Sequence, residues 1–350
     1  MKRNENMAQK KLGRQTVVFE NPPKIISGAA IVGDLEGQGP IGKFFDVILT
    51  DDTWGEKTWE KAERKMFEET VKLALDKIDT DASQLDCLLG GDLLDQIITA
   101  SFAARELKAP FLGLYGACST MAESLLLGSM LTDGGYFDLT ACVASSHFST
   151  AERQYRLPLE MGSQTTPTAQ RTVTGVGCAV LAGSAYSGEK VMDNIFVTGG
   201  TIGRVIDLGI TDANNMGAAM APAAADTLCN HLLDTGRDIS YYDLIITGDL
   251  GSFGSEMLRE LCIEKGIDLG DRHLDCGNVI FDKTQNVDCG GSGCGCSATV
   301  LNAYLLKRMH AGDYQRAFFM ATGALMSPTA GMQGDSIPGI AHGVILERGQ

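Results

Sequence analysis

The chain contains one pattern of strands and helices twice, and this repetition constrains its fold more than any other sequence feature. Residues 85–107 parallel residues 242–261, and both stretches contain the motif GDL after an apolar run. Further on, ACSTMAESLLLGSML parallels GCSATVLNAYLLKRM at a constant offset, so that Cys118 corresponds to Cys296. Each copy has the periodicity of an apolar strand followed by a turn and a helix. The repetition predicts two similar α/β halves.

We expect the two halves to pack about a pseudo-twofold axis in layers ordered α-β-α-β-α, with helices between two sheets. Residues 1–14 are predicted to be a flexible basic leader, residues 15–187 the N-terminal half and residues 188–350 the C-terminal half. The central helices, which open at Cys118 and near Cys296, should both start close to the axis. A site formed there would be shared between the halves. An alanine-rich helix is expected to begin near Pro222, because proline favours a first helical turn.

Cys118 stands at a predicted helix start, and this position has two chemical interpretations. A helix N-terminus carries partial positive charge and unpaired N–H donors, which lower a thiol pKa and also attract carboxylates. Cys118 is therefore a candidate nucleophile or part of an anion site. His147 and Asp249 are the candidate bases for a nucleophilic role.

The ten cysteines are expected to be reduced thiols, because the sequence shows no secretory signal. Cys276, Cys289, Cys294 and Cys296 lie within one short segment. Their spacing differs from that of a paired-CxxC zinc site, so we predict no metal site.

The net charge of −15 argues against non-specific binding to nucleic acid or to an anionic membrane surface. No apolar run approaches the roughly 20 residues that a membrane-spanning helix needs. We therefore expect an intracellular protein whose membrane attachment, if any, is peripheral and local or mediated by other proteins.

The duplicated halves, the cysteine at a helix start and the stretch VTGVGCAVL resemble the thiolase and ketoacyl synthase superfamily, whose members form or break carbon–carbon bonds on acyl thioesters. Within that superfamily, the chain resembles one branch more closely, a branch that functions in sporulation. The resemblance covers nearly the whole chain from Gly13 onward and rests on these blocks: GRQTVVFENPP, GDLLDQ, GACST, SSHFSTAERQYR, GRVIDLGITDANNMGAAMAPAAADT and GGSGCGCSA.

The resemblance implies a protein that binds dipicolinic acid (pyridine-2,6-dicarboxylate), as the free acid or as its calcium complex, and needs no cofactor. It implies cooperation with membrane proteins of the same sporulation operon, which load the compound into the developing spore and release it at germination. The implied location is the inner membrane of the forespore or spore, with peripheral attachment. The implied quaternary structure is a homodimer formed through the strand at residues 139–146.

Several groups that thiolases use in condensation are absent from this sequence. Thiolases carry an Asn-Glu-Ala-Phe turn and a Gly-His-Pro turn, and their side chains stabilise a thioester oxyanion. Here Asp249 occupies the first region, Cys294 the second, and residues 321–327 replace the late Cys-Gly-Gly region. We therefore predict a non-catalytic, ligand-binding site. The alternative is an active acyl-thioester transferase or condensing enzyme with Cys118 as nucleophile.

A planar dianion needs an apolar slot with N–H, hydroxyl or cationic donors for its oxygens. Arg153, Arg156 and Arg171 are further cationic candidates, whereas His231, His273 and His310 are predicted to be surface or loop residues. The predicted ligand contacts are Cys118, Ser119, His147, Arg204, Asp249, Cys296 and Ser327.

Overall fold

The N-terminal half alternates strands and helices in the order that the repeat predicts. The computed structural model describes residues 8–155, 166–192 and 194–349. The strands of this half are β1 (Lys11–Leu12), β2 (Thr16–Val18), β3 (Lys24–Val32), β4 (Val47–Ile48), β5 (Cys87–Asp92), β6 (Phe111–Gly113), β7 (Leu139–Ser146), β8 (Arg171–Thr172) and β9 (Gly175–Ala182). Its helices are α1 (Asp34–Gly37), α2 (Trp59–Asp76), α3 (Ile98–Leu107), α4 (Thr120–Asp133) and α5 (Phe148–Tyr155).

The C-terminal half repeats this succession. Its strands are β10 (Ile195–Thr201), β11 (Leu244–Thr247), β12 (His273–Asp275), β13 (Gly291–Ser292), β14 (Arg316–Ala324) and β15 (Gly339–Arg348). Its helices are α6 (Met216–Thr235), α7 (Gly251–Glu264), α8 (Cys276–Ile280), α9 (Cys294–Thr299), α10 (Leu306–Ala311) and α11 (Pro328–Met332). A π-helical stretch, Val300–Leu305, joins α9 to α10. The expected boundary at residues 187 and 188 lies between β9 and β10.

The two halves have the same strand order and the same strand directions. The first runs β3-β9-β7-β5-β6 and the second β10-β15-β14-β11-β12. In the first half, β3–β9 and β9–β7 are antiparallel pairs, whereas β7–β5 and β5–β6 are parallel. In the second half, β10–β15 and β15–β14 are antiparallel pairs, whereas β14–β11 and β11–β12 are parallel. Antiparallel pairing of Ile195 with Ile25 joins the halves, so that thirteen of the described strands form one continuous sheet, while β8 and β13 pair in a separate two-stranded sheet. The predicted duplication is confirmed.

The layers follow the predicted α-β-α-β-α order. Helix α4 lies in the middle and contacts β5, β7 and β9 of the first half as well as β10, β14 and β15 of the second. Helix α9 contacts α4 and the strands β3, β7 and β9. Helices α2 and α3 cover the outer side of the first half, and α6 and α7 cover that of the second. The central apolar cluster contains residues from both halves, including Met121, Leu301 and Phe319.

The strands and helices form where the local sequence favours them. Every residue of β7, LTACVASS, is buried, as is typical of a strand that is covered on both faces. Helix α2 begins after Thr58, whose side chain accepts a hydrogen bond from the Lys61 N–H. Its buried residues include Ala62, Met66 and Phe67, at the spacing of one helical face.

Three expectations about local structure are wrong. Over residues 8–14 the predicted flexible leader is part of the fold: β1 pairs with β2, and the Asp234 carboxylate accepts the N–H groups of Arg14, Gln15 and Thr16. Helix α6 begins at Met216, earlier than Pro222, because the Asn215 side chain caps it by accepting from the Ala218 N–H.

The third wrong expectation concerns the strand proposed for dimerisation. Strand β7 is hydrogen-bonded to β5 on one side and to β9 on the other, so it has no free edge. The edge strand of the first half is β6, and its Leu112 is exposed. Within the described part of the chain, no helix combines the length and apolar character needed to cross a membrane.

Candidate functional site

Cys118 lines a cleft to which both halves contribute. The space in the cleft that water can enter is about 30 Å³, and the volume reaches about 400 Å³ only when all open space between the lining atoms and at the mouth is included. The first half contributes Leu93, Tyr115, Ala117, Cys118, Ala151, Glu152, Tyr155 and Thr172. The second half contributes Met216, Ser292, Ala324 and Met326. A cleft lined by both halves is what the duplicated helix starts led us to expect.

The turn before α4 holds Cys118 in place through hydrogen bonds between neighbouring residues. Ala117 has a φ of +47°, a left-handed conformation that is costly for a residue with a Cβ atom. The Ser119 hydroxyl donates to the Gly116 carbonyl oxygen at 2.6 Å, and the Thr120 hydroxyl donates to the Ala117 carbonyl oxygen at 2.7 Å. Ser119 is thus buried in the turn and does not line the cleft, contrary to the prediction.

The Cys118 thiol donates a hydrogen bond to the buried carboxylate of Asp249. This carboxylate also accepts from the Gly293 N–H at 3.1 Å and from the Thr322 hydroxyl at 2.8 Å. Burial raises the pKa of Asp249 to about 7. Asp249 therefore lies behind Cys118 and contacts it, although it is not part of the cleft lining.

The Cys118 thiol is protonated at neutral pH. Burial, and next the charge of Asp249, raise its pKa well above the usual value of a cysteine. A helix N-terminus lowers a thiol pKa, but here burial and the neighbouring carboxylate outweigh that effect. This raised pKa favours the ligand-binding interpretation of the helix start over the nucleophilic one.

The second helix start contacts the first. Helix α9 begins at Cys294, two residues before Cys296. The Cys294 thiol donates to the Ala117 carbonyl oxygen at 3.0 Å, and the Ser297 hydroxyl donates to the Cys118 carbonyl oxygen at 3.5 Å. Burial raises the pKa of Cys294 and of Cys296. Cys296 is fully buried and does not line the cleft.

Three further predicted contacts lie elsewhere because each side chain has another partner. Arg204 is exposed and pairs with Asp226. Ser327 is exposed and caps α11 by accepting from the Ala330 N–H. His147 is buried, with Nε2 at 2.6 Å from the Asp52 carbonyl oxygen and Nδ1 accepting from the Ser149 N–H. Of the seven predicted residues, Cys118 lines the cleft and Asp249 supports it.

Two histidines that were expected at the surface are buried. His231 stacks on Phe318 with ring centroids 4.0 Å apart, and its ring nitrogens hydrogen-bond to Thr201 and Tyr242. The His273 Nε2 lies 2.9 Å from the Thr247 hydroxyl. Among the described lining residues there is no imidazole that faces Cys118.

Sequence reasoning did not identify the two tyrosines of the cleft. The hydroxyl oxygens of Tyr115 and Tyr155 lie 3.0 Å apart, and the Tyr155 hydroxyl donates to the Leu93 carbonyl oxygen at 2.6 Å. Met216 and Met326 from the second half add apolar thioether side chains. Tyr115 lies only three residues before Cys118 in the sequence, and this proximity was the one sequence feature that could have indicated a place for it in the cleft. The position of Tyr155 depends on the packing of α5.

The described cleft lining contains one charged side chain, Glu152, and no lysine or arginine. Arg171 lies next to the lining residue Thr172, and its guanidinium is stacked 3.7 Å from the centroid of the Phe148 ring. Burial lowers the pKa of Arg171, although the nearby Glu36 and Glu152 oppose this shift. Arg153 pairs with Glu60 at the surface, and Arg156 lies outside the described residues.

No cluster of three or more histidine, cysteine or acidic residues suited to a metal ion occurs in the described ranges. All ten cysteines are free thiols. The four clustered cysteines are buried and pack in the protein interior: Cys276, Cys289, Cys294 and Cys296.

Two duplicated α/β halves with a cysteine at the start of a central helix define a thiolase-like protein. Solved structures with this fold include cerulenin-bound OleA of Xanthomonas campestris, at 14% identity and a TM-score of 0.61, covering 94% of this chain and 97% of that one. Human mitochondrial 3-ketoacyl-CoA thiolase in complex with CoA has 12% identity and a TM-score of 0.60, covering 95% and 99%. At these identities the similarity concerns the fold alone.

The chain belongs to the stage V sporulation protein AD family. The family model matches residues 13–347. Stage V sporulation protein AD of Bacillus subtilis (strain 168) is 45% identical over 336 residues, which cover 96% of this chain and 97% of that protein. This chain is therefore a sporulation protein with a thiolase-like fold.

Proposed function

We propose that the chain binds dipicolinic acid in the cleft beside Cys118 and thereby supports uptake of this compound into the developing spore and its release at germination. The observation that carries the proposal is the cleft lining, in which the tyrosines 115 and 155 and the thioethers of Met216 and Met326 surround an apolar space. Aromatic and thioether groups pack against ring faces and edges, so this lining has the chemistry to hold a flat aromatic ring once its side chains move apart to admit it.

Helix dipoles and side-chain hydroxyl groups would bind the ligand carboxylates. Helices α4 and α6 both begin at the cleft, and their N-termini favour negative charge. Thr172 and Ser292 supply hydroxyls. We propose that the ligand binds as the free acid or as its calcium complex.

The proposed role does not include turnover, because Cys118 is poorly suited to nucleophilic attack. Its thiol is protonated and donates to Asp249. General-base activation of a cysteine normally uses a neighbouring imidazole, and the described lining contains none.

Isothermal titration calorimetry of the full chain tests this function. Dipicolinate would be titrated in the presence of calcium and in the presence of a chelator. The controls would be isophthalate, which lacks the ring nitrogen, and benzoate, which lacks the ring nitrogen and one carboxylate. We expect saturable heat with dipicolinate, in calcium or in chelator, and little with the controls. Absence of both heat and a thermal shift at millimolar dipicolinate would refute the proposal.

The contact between Cys118 and Asp249 also supports a second candidate, acyl transfer. With a pKa of about 7, the Asp249 carboxylate can accept the thiol proton. The sulfur would then attack a thioester carbonyl and release the leaving thiol, which recovers the proton. Intact-mass measurement after incubation with acyl-thioesters distinguishes the candidates. An acyl adduct that disappears in Cys118→Ala favours the enzyme, and an unmodified chain favours the binding protein.

We further propose peripheral attachment at the inner membrane of the forespore, through membrane proteins of the same operon. The proposed homodimer would form at β6, because β7 is paired on both sides. Leu112 and Tyr115 are exposed along and beside this edge, which can extend the sheet across a twofold axis.

A further inference from the structure

Two cysteines of the second half are in contact across the packed helices α6 and α7. The Cys262 thiol, in the last turn of α7, donates a hydrogen bond to the sulfur of Cys229 on α6. The two helices lie close together, since a Cβ atom added to Gly217 of α6 would be 3.0 Å from the backbone nitrogen of Gly254 in α7. Thiols in contact across such a pair can form a disulfide, whose sulfurs are about 2 Å apart, after a small side-chain rotation.

Cys229 is the cysteine that solvent reaches. All ten cysteines lie in the described ranges, and nine of them are buried, whereas Cys229 is half-buried. The surface around it is open, because Leu233, one turn further along α6, is 72% exposed and Ile263, next to Cys262, is 60% exposed. A small oxidant can therefore reach Cys229 first, with the buried Cys262 thiol directly behind it.

The surroundings of Cys229 favour its thiolate form. The hydrogen bond from Cys262 lowers the pKa of Cys229, and the nearby Lys265 ammonium adds to this effect. Burial and the Asp226 carboxylate oppose the shift, but Asp226 is paired with Arg204. The same hydrogen bond raises the pKa of Cys262, which stays protonated. An accessible thiolate beside a second thiol is typical of cysteines that are oxidised and then resolved as a disulfide.

We propose that Cys229 and Cys262 form a peroxide-reactive dithiol, in which a hydroperoxide oxidises Cys229 and Cys262 converts the product to a disulfide. In the first step the Cys229 thiolate attacks a peroxide oxygen. An S–O bond forms, the O–O bond breaks, and the leaving hydroxide takes a proton from solvent. The sulfur loses the two electrons that the peroxide gains, and Cys229 becomes a sulfenic acid.

In the second step the Cys262 sulfur attacks the Cys229 sulfur. An S–S bond forms, the S–O bond breaks, and hydroxide leaves with the Cys262 proton as water. The two thiols and one hydrogen peroxide thus give one disulfide and two waters. A thiol reductant reverses the reaction by exchange.

The disulfide cross-links two helices that follow residues of the site. Helix α6 begins at Met216, which lines the cleft, and α7 begins two residues after Asp249, which contacts Cys118. The bond closes the chain between residues 229 and 262, which lowers the entropy of the unfolded chain and stabilises the folded one. This dithiol chemistry does not depend on which ligand the cleft binds.

Peptide mapping by mass spectrometry tests the dithiol. The full chain, reduced and then freed of reductant, would be treated with a small molar excess of hydrogen peroxide, blocked with N-ethylmaleimide and digested without reduction. The test variants are Cys229→Ser, Cys262→Ser and Cys262→Ala. The matched control is Cys142→Ala, which removes a buried thiol of the first half. A parallel reaction would contain dimedone, which traps sulfenic acids, and thermal unfolding would be measured before and after oxidation.

We expect a linked peptide pair that joins Cys229 to Cys262 in the parent and in Cys142→Ala, and its loss on addition of dithiothreitol. In both Cys262 variants the reaction should stop at a dimedone adduct on Cys229. Cys229→Ser should form neither product. Oxidation should raise the Tm of the parent by about 3–5 °C, reversibly, because the new loop constrains the unfolded chain. The Tm of Cys229→Ser should not rise.

A parent that forms no linked peptide, or one that links other cysteines in preference, would overturn the proposal. A dimedone adduct on a different cysteine in the Cys262 variants would overturn it as well. The linked peptide and the Tm shift are both read from the parent, so the test stays decisive even where a variant fails to fold.

Discussion

Replacement of Cys118 by Asp tests the described site most directly, because it places a second carboxylate against Asp249. In the parent the thiol donates to the Asp249 carboxylate, so the new group would be in contact with it. Two unit charges about 4 Å apart repel by about 4 kcal/mol at an effective dielectric constant near 20. The free energy of unfolding should fall by about this amount when both groups are ionised.

The protonation state of Asp249 makes this cost depend on pH. Since burial raises the Asp249 pKa to about 7, the group is mostly ionised at pH 8 and mostly protonated at pH 6. At pH 6 it can donate its proton to the new carboxylate as a hydrogen bond. The pair would keep one proton over this range while Asp249 of the parent loses its own, so Cys118→Asp should destabilise the chain by about 1–1.5 kcal/mol more at pH 8 than at pH 6, relative to the parent at each pH.

Urea unfolding at the two pH values measures the stability, and calorimetry measures dipicolinate binding. Cys118→Asp should bind no ligand, whereas Cys118→Ala should bind about 5- to 30-fold more weakly, because one weak contact is lost. Cys142→Ala is the control: it removes another buried thiol, whose partner is the Ser124 carbonyl oxygen, and neither residue is among those that line the cleft. Its binding should be unchanged. An equal cost of Cys118→Asp at both pH values, or unaltered affinity in Cys118→Ala, would refute the reasoning.

Three further outcomes are expected. Burial raises the pKa of Glu63 to about 8, so the folded chain holds a proton that the unfolded chain releases, and stability should fall by about 1–2 kcal/mol from pH 7 to 8.5. In Glu63→Gln the urea midpoint should fall less over the same pH range, and a fall as steep as that of the parent would contradict this prediction. Asp234→Ala should lower the free energy of unfolding by about 2–4 kcal/mol, because it leaves three backbone N–H groups unpaired. A near-zero change in urea unfolding would show that these hydrogen bonds do not stabilise the fold. Leu112→Asp should shift sedimentation velocity from dimer to monomer, and a parent that is already monomeric would exclude the β6 interface.

The sequence was informative about the fold because the signals are local and occur twice. Apolar runs and helical periodicity recur at a constant offset, and short-range preferences place strands and helices in the same order in both halves. The constant offset also placed the helix starts at Cys118 and near Cys296 on the same axis, and the structure brings these starts into contact. Boundaries were less predictable where one capping residue decides them, as Asn215 does for α6.

Which residues line the cleft could not be predicted from residue type. Arg204 and His147 have the chemistry that a dicarboxylate site needs, but Asp226 and the Asp52 carbonyl oxygen hold them elsewhere. These partners lie 22 and 95 positions away in the sequence. Choices between partners at such separations depend on tertiary packing, which no local pattern encodes.

The sequence by itself determined that the chain forms two similar halves, that Cys118 begins a central helix and that the thiolase donors are replaced. Only the tertiary structure decided that Tyr115, Tyr155 and Met216 line the cleft, and that the Cys118 thiol keeps its proton. The physical reason is that strand and helix formation follow from neighbouring residues, whereas burial, side-chain pairing and pKa arise from groups that the fold brings together from distant parts of the chain.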